Sequence, residues 1–283
     1  MAGGQVKQPR NAGLVKCAIS RDASPGGKMN IRMATLLAAA LPVLAAAADP
    51  VGVAAKGGFP EYLFIEKVTR AEAEATAQKL AKAVMAGRMI IFAHGAKITD
   101  ASLGDKGFGG AFFEEQWRRS TDDLTIDATP AQKRILDKLF WAGRQVMDNN
   151  QDRINTPGVA WKHFLPAKWE REMGQVLTAR TGIIVKQPGR TYRSPVNVPD
   201  DLERATLEHF IQAGHAENQP RTVATRMGKQ AVVRYMEPIR LMVPCLPCHG
   251  KPKGEPDMLG FHKDGLEAGD VIGLMSVTLA VSD

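Results

Sequence analysis

Two kinds of hydrophobic spacing divide the chain. From Thr69 to about His94, apolar residues recur at helical intervals, with Ala73, Ala77, Leu80 and Val84 along one face. Thr69-Arg70-Ala71-Glu72 has the form of a capping box that opens this helix. A Gly-rich loop (Gly104, Gly107, Gly109, Gly110) and an aromatic segment from Phe112 to Trp117 follow. Residues 118–128 are polar and read as a connector. Thr129-Pro130 is an N-cap with proline at the first helical position. It predicts a helix to about Asn149 with Ile135, Leu136, Leu139 and Phe140 inward. Another helix is expected over 166–180, carrying Trp169, Met173, Val176 and Leu177.

The spacing then changes from helical to alternating. Residues 182–186 are β-branched, and Asp200 or Asp201 caps one more helix, ended by Gly214. Ala231–Met236 reads as a strand continued by 238–242. Val271, Gly273, Met275, Val277, Leu279 and Val281 alternate as a long final strand. Helices early and antiparallel strands late predict an α+β fold. Within the helical part, Ala86-Gly87-Arg88 recurs as Ala142-Gly143-Arg144. At the same offset of 56, Ile98 matches Ile154, Lys106 matches Lys162, Phe108 matches Phe164 and Ala111 matches Ala167. A duplicated helix-loop-helix unit is the expectation, with chance likeness between two Ala-rich helices as the alternative.

Charge alters this picture in one place. The formal net charge is +7 over 283 residues. Six of the basic residues (Lys7, Arg10, Lys16, Arg21, Lys28, Arg32) and only one acid, Asp22, lie in residues 1–48. The rest holds 31 basic and 29 acidic residues, without a basic stripe interleaved with aromatics, so nucleic-acid binding is not expected. Met29-Asn30-Ile31-Arg32 followed by the sixteen residues 33–48, Pro42 among them, has the plan of a secretory signal. Its apolar run is short for a membrane span of about 20 residues. Ala46-Ala47-Ala48 is a small-residue cleavage site, and a periplasmic location is expected; an uncleaved anchor is the alternative. Cys17, preceded by Lys16, belongs to this leader. The expected organisation is a leader over 1–48 with its signal core at 29–48, a helical region over 49–128 and a second domain over 129–283.

The chemistry concentrates in Pro244-Cys245-Leu246-Pro247-Cys248-His249-Gly250. Cys-x-x-Cys-His is the spacing of c-type haem attachment. Two thiols three residues apart reach the two vinyl groups of one haem, and the next histidine supplies an axial nitrogen. A disulfide or redox dithiol would use the same two cysteines. An exported chain with a single Cys pair favours haem. Arg193, Arg234 and Arg240 are candidates to pair with haem propionates, Arg234 foremost. His94, His163, His209, His215 and His262 are the available histidines for a sixth position, and Met258 and Met275 are further candidates. No phosphate loop, zinc pair or serine nucleophile motif occurs, and an enzyme is not expected.

The stretches 181–187, Tyr192 to Asp200 (with Arg193-Ser194-Pro195-Val196-Asn197-Val198-Pro199), 234–239, 245–250 and 269–277 together resemble an exported single-haem c-type family. It was long catalogued as a domain of unknown function. That resemblance covers about residues 130–283 and implies a PAS-like antiparallel sheet with one covalent haem c on Cys245 and Cys248 and His249 as proximal ligand. It also implies redox or small-ligand sensing through a membrane signalling or redox partner. A soluble electron-transfer cytochrome and a haem peroxidase-like enzyme are the alternatives. In that family a cysteine on the preceding helix serves as distal ligand. This chain has none there, and the comparable pattern Arg144-Gln145-Val146-Met147 places Met147 near that position, as a distal thioether or as a core methionine. Whether the two similar helical units form a homodimer or brace the haem domain stays open.

Overall fold

The computed structural model describes residues 64–214 and 218–282. The leader with its signal core at 29–48, Cys17 and His215 lie outside the described residues. The described residues fall within one compact unit, Ala54–Asp283. A short strand β1 (Lys67–Thr69) leads into helix α1 (Arg70–Ala93), capped by Thr69, whose hydroxyl oxygen accepts from Glu72 N. After α1 come α2 (Gly95–Thr99), α3 (Gly110–Arg119) and α4 (Asp123–Ile126). They are followed by α5 (Pro130–Asn149), α6 (Gln151–Asn155) and α7 (Pro166–Thr181). Thr129 and Gln132 form a full capping box at the start of α5. The polar stretch read as a connector therefore holds one helical turn, α4, pinned by Leu124 in the core and by Lys79, which bonds Leu124 O and Asp127.

The second half supplies β2 (Ile184–Lys186), α8 (Asp201–Ala213), β3 (Arg221–Met227), β4 (Gln230–Arg240), α9 (Leu246–His249) and β5 (Val271–Ser282). The sheet runs β1-β5-β4-β3, and β2 pairs with β5 on the same side as β1. All pairings are antiparallel except one: β1 runs parallel to β5, Lys67 facing Ala280. The sheet is thus mixed rather than wholly antiparallel. β5 is its centre and is buried on both faces. Met275, Val277, Leu279 and Val281 join Val233 and Tyr235 in the core shared with the helices. Leu274, on the other face, packs with Met236, Val271 and the α8 residues Leu207 and Phe210. Strand β3 escaped sequence reading because its side chains are mostly polar and exposed, as suits an edge.

Part of the helical layer repeats at the offset of 56. α2 and α6 coincide residue for residue at the offset of 56, and α3 and α7 begin at equivalent positions, Gly110 and Pro166. The copies interlock. Gln132 Nε2 donates to its own equivalent, Thr76 Oγ1, at 3.1 Å. Arg88 pairs with Glu170 at 3.1 Å, and the equivalent Arg144 with the equivalent Glu114 at 3.4 Å. At the centre, Trp117 and Trp169 meet edge to face, centroids 5.0 Å apart, over Gly87 and Gly143. Their indole N–H groups donate to Ala83 O (2.6 Å) and Gly143 O (3.1 Å). Such aromatic contacts add about 0.5–1.5 kcal/mol each beyond the area they bury.

This interlocking runs across the expected domain boundary at 128/129. Contacts between the copies cross it, β1 joins the same sheet as β5, and α1 contributes to the core under β4 and β5. Helices and sheet are two layers of one fold. Among the described residues no helix is long and apolar enough to cross a membrane.

Candidate functional site

The site is built at the end of β4. Leu241 N donates to Asp270 O and Gly269 N to Leu241 O, both at 2.8 Å, which closes the β4–β5 connection at its base. The chain then makes one tight turn, Val243–Cys245, and the single helical turn α9. Pro247 sits in the first turn of α9, where no intrahelical N–H is required. Gly250 N caps Leu246 O at 2.7 Å, and an added Cβ at Gly250 would lie 2.6 Å from that oxygen. Cys245 and Cys248 are free thiols, each half-buried. Burial, with the nearby Asp257 carboxylate, pushes the Cys248 thiol above its ordinary value.

His249 is oriented by the returning loop. Leu266 N donates to His249 O and Gly265 N to Gly250 O, both at 3.0 Å, and this pairing delivers Asp264 to the imidazole. The Asp264 carboxylate and His249 Nδ1 are joined by a hydrogen bond. Burial holds the imidazole's protonation below its usual range even though Asp264 opposes that shift. With a carboxylate facing Nδ1, the neutral ring carries its proton there and leaves the Nε2 lone pair as an acceptor.

Arg193 ties the other side. Its Nη2 donates to Cys248 O at 2.7 Å, its Nη1 pairs with Asp257 Oδ2 at 2.6 Å, and its guanidinium lies 5.2 Å from the Phe261 ring centroid. Asp257 Oδ1 accepts from Leu259 N (2.8 Å) and Phe261 N (3.0 Å). Burial alone would raise the Asp257 carboxyl. Those two backbone donors and Arg193 outweigh it and hold the group below the usual range. Met242, Val243, Met258 and Phe261 present exposed apolar surface on the motif and its return loop. Behind Asp264 lies a cavity of about 350 Å³ lined by Arg190, Arg240, Lys253 and Asp270 among others. Among the described residues, no group of three or more His, Cys, Asp or Glu side chains is placed to hold a metal ion.

The structure brings Cys245, Cys248 and His249 together, with Arg193 against the Cys248 carbonyl and Arg240 lining the cavity behind Asp264. Arg234, the foremost candidate for a propionate, already has acidic partners. It pairs with Asp200 at 2.7 Å and Glu203 at 3.0 Å, and it sits six residues before Arg240 on β4, about 20 Å away at ~3.3 Å per residue. It lines a separate cavity of about 650 Å³ with Lys186, Glu203 and Thr278. Arg240 holds Asn218 Oδ1 (2.6 Å), Gly214 O (2.8 Å) and Gly269 O (3.0 Å).

Met147 is fully buried on α5, in the apolar cluster between helices and sheet, which contains none of the motif residues. That is the place of a core methionine, the alternative to distal ligation, and Met275 is likewise buried in that cluster. Met258 is exposed near the motif. His94 bonds Ile90 O through Nδ1 at 2.9 Å and stacks on Phe108, and His163 accepts from Trp161 Nε1 at 3.2 Å. His262 bonds Gly254 O at 2.8 Å, and His209 packs against Phe210. Asp257 and Asp264 escaped sequence reading. They lie in what reads only as a Gly/Pro/Lys loop, and their partners are 64 and 15 residues away.

A family model described as Tll0287-like matches residues 68–280. Among solved structures, the crystal structure of the cyanobacterial heme-protein Tll0287 aligns with 24% identity over 54% of this chain and 97% of that one, at a TM-score of 0.36. No curated protein matches. The family match takes in β1 through β5, well over half of the sequence and the whole Cys-x-x-Cys-His site, and this chain therefore belongs to the Tll0287-like family.

Proposed function

We propose that the protein carries one covalent haem c on Cys245 and Cys248, with His249 Nε2 as axial ligand, and that it acts in redox or small-ligand sensing through a partner protein. The observation that carries this reading is the arrangement of the motif. Two free thiols stand on one turn beside an imidazole whose other nitrogen is already anchored. A haem-ligating histidine needs its second nitrogen held in this way. The exposed apolar side chains of Met242, Val243, Met258 and Phe261 suit an apolar macrocycle lying against the motif. Arg193 is the basic group at hand for an anionic propionate, although it is already engaged with Asp257. When bound, the haem supplies a one-electron couple and an iron that takes diatomic ligands. The protein's own residues would hold its edge and orient the imidazole.

A PAS-like character for the sheet, periplasmic export through the 29–48 signal, and a membrane signalling or redox partner belong to this proposal. Electron transfer without sensing is the second reading, favoured by the surface position of the motif, where Val243 is 66% exposed. The test is expression with the leader in a host that matures c-type cytochromes. Haem that stays with the denatured polypeptide is expected in the exported fraction, and it should be lost in the Cys245→Ala/Cys248→Ala variant. Uptake of carbon monoxide or nitric oxide by the reduced protein supports sensing, and inertness to both supports electron transfer. An exported protein without covalent haem would overturn the whole reading.

A further inference from the structure

The Asp264 carboxylate is the structure's most directed feature that the motif alone does not require. A histidine can be oriented by a neutral acceptor such as a backbone carbonyl. Here the acceptor is a carboxylate whose side chain is only 6% exposed. Its position is set by backbone pairing of 265–266 with 249–250 and not by a mobile side-chain reach, so charge and ring are locked together. An anionic acceptor draws the Nδ1 proton away and makes Nε2 a stronger electron donor. A stronger axial donor stabilises ferric over ferrous iron.

We propose that Asp264 is a positioning residue whose buried charge, fixed against Nδ1, strengthens His249 Nε2 as a donor and thereby holds the haem in its oxidised form at a low reduction potential. This rests on the haem reading above. The electrostatics have a definite sign, because Asp264 meets the ring directly, whereas the Arg193 guanidinium is engaged by Asp257 and the Cys248 carbonyl. A haem set in this way stays ferric unless it meets a strong reductant, and does not accept electrons from weak donors.

The experiment compares holoproteins carrying Asp264→Asn, Asp264→Ala and Asp264→Glu by spectroelectrochemical titration, with covalent haem content measured on each sample. Asp264→Asn keeps an oxygen acceptor for Nδ1–H and removes the charge. It should shift the ferric/ferrous ratio at a fixed ambient potential by about tenfold toward ferrous, a rise of about 59 mV for one electron. Asp264→Glu should return the potential toward that of the wild type. An Asn variant with full haem content and an unchanged potential would show that the carboxylate only orients the ring, and would overturn the proposal. If neither neutral variant retains haem, the wild-type holoprotein decides. Its His249 Nδ1 proton resonance should lie downfield and exchange slowly with solvent, and a rapidly exchanging proton overturns the proposal. Absence of haem from the wild type is a separate outcome that removes the underlying haem reading itself.

Discussion

Replacing Gly143 by alanine tests whether the two helical copies meet as closely as the structure has them. In an open helix the change stabilises by about 1 kcal/mol, because alanine is the better helix former. At Gly143 the new methyl would lie 2.3 Å from Trp117 Cζ3 and 2.8 Å from Trp169 Cζ2. Ordinary contact begins near 3.4 Å, so an indole ring must retreat by about 1 Å. Neither ring has room. Trp117 is held by Phe140 (centroids 4.8 Å), Phe113 (5.4 Å) and Trp169 (5.0 Å), and its N–H is committed to Ala83 O. Overpacking of this kind costs about 3 kcal/mol, the upper end of its usual range. With the propensity gain set against it, the net loss is about 2 kcal/mol. For a chain of this size that lowers the melting temperature by about 4–8 °C. The assay is urea unfolding with the slope of the transition compared between proteins. Gly95→Ala, where an added Cβ meets nothing within 4 Å, is the control and should be neutral or slightly stabilising. Gly87→Ala should behave like Gly143→Ala, since its Cβ would meet Trp169 Cη2 at 2.5 Å. The double variant should cost less than the sum, because both methyls displace the same rings. A Gly143→Ala protein as stable as the wild type would refute the close apposition of the copies.

Two further outcomes follow from charged groups. Glu170 is fully buried, and burial, opposed by Arg88, raises its carboxyl from 4.5 to about 8. The folded state therefore holds this proton more tightly than the unfolded chain, and its contribution to stability is present below about pH 4.5 and is lost as the pH rises through 8. The wild type should lose stability across that window at up to about 1.4 kcal/mol per pH unit, and Glu170→Gln should remove this component; parallel profiles for the two proteins in urea titrations from pH 4.5 to 9 would contradict it. Arg193→Met should free the Cys248 carbonyl and Asp257 and destabilise the 250–264 loop by about 2 kcal/mol. It should be read as faster proteolysis of that loop and a lower yield of covalent haem, with unchanged yield and proteolysis counting against the role assigned to Arg193.

By itself the sequence determined the elements whose signals are local. Thr69 and Thr129 cap α1 and α5, Gly214 ends α8, and the alternation from Val271 onward makes β5, because capping hydrogen bonds and side-chain periodicity act over a few residues. The Cys245, Cys248 and His249 set was legible for the same reason, since its chemistry needs only one helical turn. The offset of 56 was visible in residues such as Gly87 and Gly143, but its meaning was not. Only the tertiary structure interleaves the copies, pairs Arg88 with Glu170, and merges α1 with the sheet across the expected boundary. It alone brought Arg193 against the Cys248 carbonyl and buried Met147 in the core between helices and sheet. It alone delivered Asp264 to His249, because a loop residue's partner is decided by which backbone strands pair and not by its neighbours in sequence.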